Sequence, residues 1–105
     1  MRIVYLGTPA DAVPPLEAIV AAGHEVVLVV TQPDRRRSRG EGTTPSPVRA
    51  AAEALGLRVA TPERSREVVD EVAALEADLG VVVAFGQILP TALLDAIPDG
   101  YVNLH

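Results

Sequence analysis

Residues 26–30 read Val-Val-Leu-Val-Val, an unbroken apolar run closed by Thr31-Gln32-Pro33. A strand with one face in water alternates apolar and polar side chains, whereas a strand covered on both faces has no need to. The run therefore predicts a strand buried on both sides, as in a parallel sheet between layers of helices. Two similar runs flank it at a distance, residues 2–7 before it and Leu79-Gly80-Val81-Val82-Val83-Ala84 after it. Shorter strands are expected at Leu57–Ala60, ended by Thr61-Pro62, and at Tyr101–His105.

The intervening segments carry helix signals. Val13, Leu16, Ile19 and Val20 follow a helical period that closes at Gly23, and Pro14 and Pro15 are tolerable only in a first turn. Ser46-Pro47 is a cap followed by a proline at the first helical position, with Gly56 as the stop. Ser65 to about Ala77 alternates valines and leucine with acids as an amphipathic helix does. Pro90 opens a short helix over Thr91–Ala96. Residues 31–45 are expected to form a long loop.

The order βαβαβαβαβ predicts an α/β fold, an open parallel Rossmann-like sheet with helices on both faces. Counting its five strands along the chain, right-handed crossovers and one doubling back give the order 3-2-1-4-5. All 105 residues fit in a single domain, with no repeat and no linker.

Composition narrows the function classes. The 105 residues contain no cysteine, so disulfides, a thiol nucleophile and a zinc finger are excluded. His24 and His105 are too far apart to suggest a metal cluster, and no metal is expected. No apolar run reaches the roughly 18 residues a membrane span needs, and a soluble cytoplasmic protein is the expectation. The formal net charge is −5, yet all nine basic residues are arginines, and Arg35, Arg36, Arg37 and Arg39 fall together.

Four motifs each admit a functional and a plain structural reading. The first βα turn, Gly7-Thr8-Pro9-Ala10-Asp11, has one glycine and then a proline without an amide donor. A dinucleotide turn needs three glycines, so no NAD site is expected. The arginine loop is either a solvated excursion or an electrostatic hand for phosphates, which guanidinium forks match. Phe85-Gly86-Gln87-Ile88-Leu89-Pro90 leaves the fourth strand at its carboxyl end. It is either a plain connection with Ile88 and Leu89 in the core or one wall of a ligand slot at the switch in strand order. Asn103 and His105 alternate with Val102 and Leu104 on the last strand, sharing one face near that crevice. They serve either loop hydrogen bonding or chemistry.

Taken together, Gly7-Thr8-Pro9, Thr31-Gln32-Pro33-Asp34, Arg39-Gly40, Pro45-Ser46-Pro47-Val48, residues 82–90 and Val102-Asn103-Leu104-His105 resemble the methionyl-tRNA formyltransferases. The resemblance covers the whole chain. It implies the N-terminal portion of a formyltransferase catalytic domain, with the rest of that domain and a C-terminal tRNA-binding domain absent. It implies transfer of a formyl group from 10-formyltetrahydrofolate to methionyl initiator tRNA in translation initiation.

Asn103 and His105 match the family's catalytic Asn-x-His pair. Phe85, Gly86, Gln87, Ile88, Leu89 and Pro90 match the segment lining its folate pocket. Arg35, Arg36, Arg37 and Arg39 fall in the loop that engages the tRNA. Glu41 and Gly42 depart from the lysines often found there. The family's catalytic aspartate lies beyond residue 105, so the 105 residues alone are expected to be inactive. They are also expected either to self-associate through the last strand or to fray over residues 101–105. Two alternatives are a 10-formyltetrahydrofolate-dependent enzyme acting on a small amine or sugar nucleotide, and a non-catalytic Rossmann-like binding domain.

Overall fold

A computed structural model describes residues 1–36 and 43–104. Five parallel strands form one sheet: β1 (Arg2–Gly7), β2 (Glu25–Val30), β5 (Val59–Ala60), β6 (Leu79–Val83) and β7 (Tyr101–Asn103). Their spatial order is β5-β2-β1-β6-β7, which is the expected 3-2-1-4-5 among the sheet's own strands. Two further strands, β3 (Arg35–Arg36) and β4 (Thr43–Thr44), pair antiparallel, Arg35 with Thr44 and Arg36 with Thr43. The long loop expected over 31–45 is thus gathered at its base by a ribbon. Two-residue strands carry no alternation by which a sequence could betray them.

Helices cover both faces, and the core is accordingly split in two. On one face α1 (Val13–Ala21) and α2 (Pro47–Ala54) pack Leu16, Val48 and Ala52 onto Tyr5, Val29 and Val81. On the other, α3 (Val69–Leu75) and α4 (Thr91–Asp95) pack Val72 and Leu93 onto Leu6, Val30 and Val82. The apolar runs read as two-sided strands because successive side chains feed opposite cores. A register shift between Ile3 and Val4 lets β2 bulge, pairing Ile3 with Val26 but Val4 with Leu28. Val26 and Leu28 consequently face different cores although two residues apart.

The local signals act as read. Pro14 and Pro15 fall in the first turn of α1, and Gly23 follows it at φ 92°. Ser46 caps α2, its Oγ accepting from the Arg49 N–H at 3.0 Å. The helix expected from Ser65 begins instead as a 3-10 turn over Ser65–Val68, and α3 proper starts at Val69. Arg64 at the cap position offers no acceptor, and the Ser65 hydroxyl is turned to Ile88.

Candidate active site

β1 and β6 are the adjacent central strands, and the helices that follow them cover opposite faces of the sheet. Such a divergence opens a crevice at the carboxyl ends of the strands. Close approach is needed to build it: a Cβ on Gly7 would stand 2.8 Å from the Val83 carbonyl oxygen of the paired strand. The glycine of the first turn therefore serves strand packing, which accounts for it without a pyrophosphate.

A cleft of about 600 Å³ occupies the crevice, walled by Val82 to Gln87 on one side and by Asn103 and Leu104 on another. The 82–87 wall bends sharply. Ala84 adopts φ 49° and Gly86 φ 92°, both left-handed, which for a residue with a Cβ costs on the order of 1–2 kcal/mol. Contacts from three other segments hold that bend. Thr8 Oγ1 donates to the Phe85 carbonyl at 2.7 Å and accepts from the Gln32 N–H at 3.3 Å. Gln87 Nε2 donates to Gln32 Oε1 at 2.7 Å and to the Pro62 carbonyl at 3.1 Å. Ser65 Oγ donates to the Ile88 carbonyl at 2.8 Å.

The six residues singled out in this turn are used differently. Phe85 is buried in the α3/α4 core and meets the cleft at its edge, beside Gly86 and Gln87. Ile88 is 89% exposed and, with Pro90, borders an open shelf of about 510 Å³ next to Arg64 and Arg66. Leu89 is half-buried against the core and lines neither space. Core and slot thus share the segment.

Asn103 lies at the end of β7 in register with Val82, and its amide makes no hydrogen bond among the described residues. It is an exposed donor at the cleft. The strand is anchored two residues earlier, where Tyr101 Oη donates to the Leu93 carbonyl at 2.5 Å. Burial pushes that phenol up to about 12. His105, Arg37 and Arg39 lie outside the described residues, so the proposed pairing of His105 with Asn103 does too. The backbones of Arg35 and Arg36 form β3 at the base of the loop.

The root of that loop is fastened to α2. Arg49 Nη1 donates to Asp34 Oδ2 at 2.6 Å and its Nε to Glu53 at 3.3 Å. These bonds push the guanidinium pKa further up. Asp34 Oδ1 is buried without a partner among the described residues. A third space of about 360 Å³, bounded by Pro9, Pro33, Pro45 and Pro47 with Thr8 and Gln32, lies at this root. Thr8 and Gln32 fall in stretches that carry the family resemblance, but the sequence assigned neither them nor Ser65 a role at the site. Only the position of each just beyond or between strands hinted at them. No group of three or more His, Asp or Glu among the described residues could hold a metal ion, and no helix among them is long and apolar enough to cross a membrane.

The sequence profile of the formyl transferase family matches residues 1–105. The chain belongs to this family. Methionyl-tRNA formyltransferase from Heliobacterium modesticaldum is 58% identical to this formyl transferase chain over 106 residues, covering 100% of it and 34% of the relative. The enzyme of that name from Roseobacter denitrificans is 53% identical over 107 residues, covering 100% and 35%. The formyl transferase chain thus spans about a third of the length of the curated relatives it matches. Among solved structures, phosphoribosylglycinamide formyltransferase from Bacillus halodurans superposes with a TM-score of 0.74 at 16% identity, over 100% of this chain and 56% of the other. At that identity the likeness concerns the fold.

Proposed function

We propose that the protein carrying this chain transfers a formyl group from 10-formyltetrahydrofolate to the α-amino group of methionine on initiator tRNA. One observation carries the reading: an exposed side-chain amide, Asn103, borders a cleft at the strand-order switch of a chain more than half identical to enzymes named for that acceptor. The cleft suits a flat, polar-edged donor. Its 82–87 wall combines apolar valine and phenylalanine surface with the polar side chain of Gln87.

The chemistry asks little of the protein. An amine attacking a formyl carbon leaves negative charge on the formyl oxygen, and an amide N–H fixed nearby stabilises it. Asn103 supplies such a donor from a strand end, where packing rather than a loop sets its position. His105, by its match to the family pair, moves the proton that the attacking amine must lose, since an imidazole titrates near neutral pH. The arginines at 35, 36, 37 and 39 give the acceptor's phosphates a cationic partner. This reading places the protein in the cytoplasm, where translation starts.

The test is formylation of methionyl initiator tRNA by the full-length protein and its variants. Asn103→Ala and His105→Ala are each expected to lower kcat by about 10²–10³, the usual effect of removing one oxyanion donor, with donor affinity little changed. Arg39→Ala is expected to raise KM for the tRNA and flatten its salt dependence. Near-normal kcat in both cleft variants would remove those residues from the chemistry. Formylation of a small amine but not of the tRNA would redirect the substrate assignment.

A further inference from the structure

We propose that Gln32 is a positioning residue for the formyl donor, acting through the turn that walls the cleft; the inference rests on the function proposed above. Gln32 grips that turn at three successive residues. Its backbone N–H reaches Phe85 through the Thr8 hydroxyl, which accepts from Gln32 and donates to the Phe85 carbonyl. Its side-chain Nε2 fills the space over Gly86, where a Cβ would come within 2.7 Å of it. Its Oε1 accepts from Gln87 Nε2, whose other hydrogen goes to the Pro62 carbonyl.

The turn needs such a hold because its own backbone opposes it. Ala84 is left-handed without being glycine, a conformation that persists only where the surroundings over-determine it. Without the Gln32 side chain, Gln87 keeps only its bond to the Pro62 carbonyl. The same removal opens the space over Gly86, so the wall loses its fixed shape. Gln32 itself borders the neighbouring proline-walled space and not the cleft. It therefore acts on the donor through residues 85–87 rather than by touching it.

The position of Gln32 in the chain adds a second consequence. It lies two residues before Asp34, which is bonded to Arg49 of α2 at the root of the arginine loop. The segment that shapes the donor cleft is thus also the one that leads to the proposed acceptor contact.

Steady-state formylation by the full-length protein tests this with Gln32→Ala and Gln32→Glu. Gln32→Ala is expected to raise KM for 10-formyltetrahydrofolate about tenfold, the scale of one lost hydrogen bond, with kcat within about threefold. Gln32→Glu keeps the oxygen that accepts from Gln87 and is expected to restore most of that KM. A second readout needs no substrate: the Gln87 side-chain amide resonances of the full-length protein should move to values of a water-exposed amide in Gln32→Ala only. An unchanged donor KM in Gln32→Ala, or unmoved Gln87 resonances, overturns the proposal. A wild-type protein that does not use this donor overturns the function instead, and the Gln87 resonances then decide the grip alone.

Discussion

The ring of Tyr101 lies against Gly80 of the neighbouring strand so closely that any side chain at Gly80 would overlap it. The two residues are paired in register, and the ring continues to the Leu93 carbonyl, which its hydroxyl reaches. Among the described residues β7 pairs with β6 alone, and this contact sets where Asn103, two residues on, comes to rest. Gly80→Ala forces the ring aside and is expected to cost about 1–3 kcal/mol, the usual effect of overpacking. Chemical denaturation of the full-length protein measures it. An unchanged midpoint would mean that the ring has room to move and that β7 is set by something else.

Alkaline pH probes the same contact. Burial pushes the phenols of Tyr5 and Tyr101 up to about 12 from 10.0. Below pH 10 both are neutral whether the chain is folded or not, so they leave stability independent of pH. Between 10 and 12 the unfolded chain ionises and the folded one does not. Stability therefore falls as pH rises through that window. Tm followed from pH 9 to 12 is expected to drop, and Tyr101→Phe to flatten the slope in part. Identical slopes in the two proteins would contradict the burial argument.

Ser46 joins two networks in one oxygen. It caps α2 through the Arg49 N–H and shares a 2.7 Å hydrogen bond with the buried Thr31 hydroxyl. Ser46→Ala is expected to cost about 1–3 kcal/mol, from the lost cap and a stranded hydroxyl. Adding Thr31→Val removes the stranded group and is expected to recover part of that loss. Additive single effects in the double-mutant cycle would show that the two hydroxyls are not coupled.

Glu76 ends α3 in the left-handed region at φ 52°. Glycine adopts that backbone without the Cβ penalty, so Glu76→Gly is expected to stabilise the protein by about 1 kcal/mol. Thermal unfolding reads the result, and a lower Tm would argue that the Glu76 side chain holds something the backbone strain conceals.

The sheet was legible because its signals are local and repeated. Val26–Val30 announces two buried faces, while Gly23, Pro47 and Gly56 punctuate helices at the positions they occupy. The same reading located Asn103 at a strand end and the Phe85–Pro90 turn at the switch in strand order. The hold on that turn was not legible, because Thr8, Gln32 and the 62–65 stretch come from three separate segments. Each looks like ordinary loop chemistry until the fold brings them together. Ser65 shows the conflict most plainly. It reads as a helix opener, yet its hydroxyl serves Ile88, and α3 starts late. The pairing of Arg35 with Thr44 escaped for another reason: a two-residue strand has no period.

Because all five strands of the main sheet run in one direction, its two ends are separate places. His24 sits in the turn that enters β2 and is exposed, a full strand away from the cleft, or about 20 Å at roughly 3.3 Å per residue. No cysteine occurs anywhere in these 105 residues. A single cysteine at position 24 would thus give this segment one thiol, on the end of the sheet opposite the cleft. A dye attached there could report distances to a labelled donor or tRNA without disturbing either.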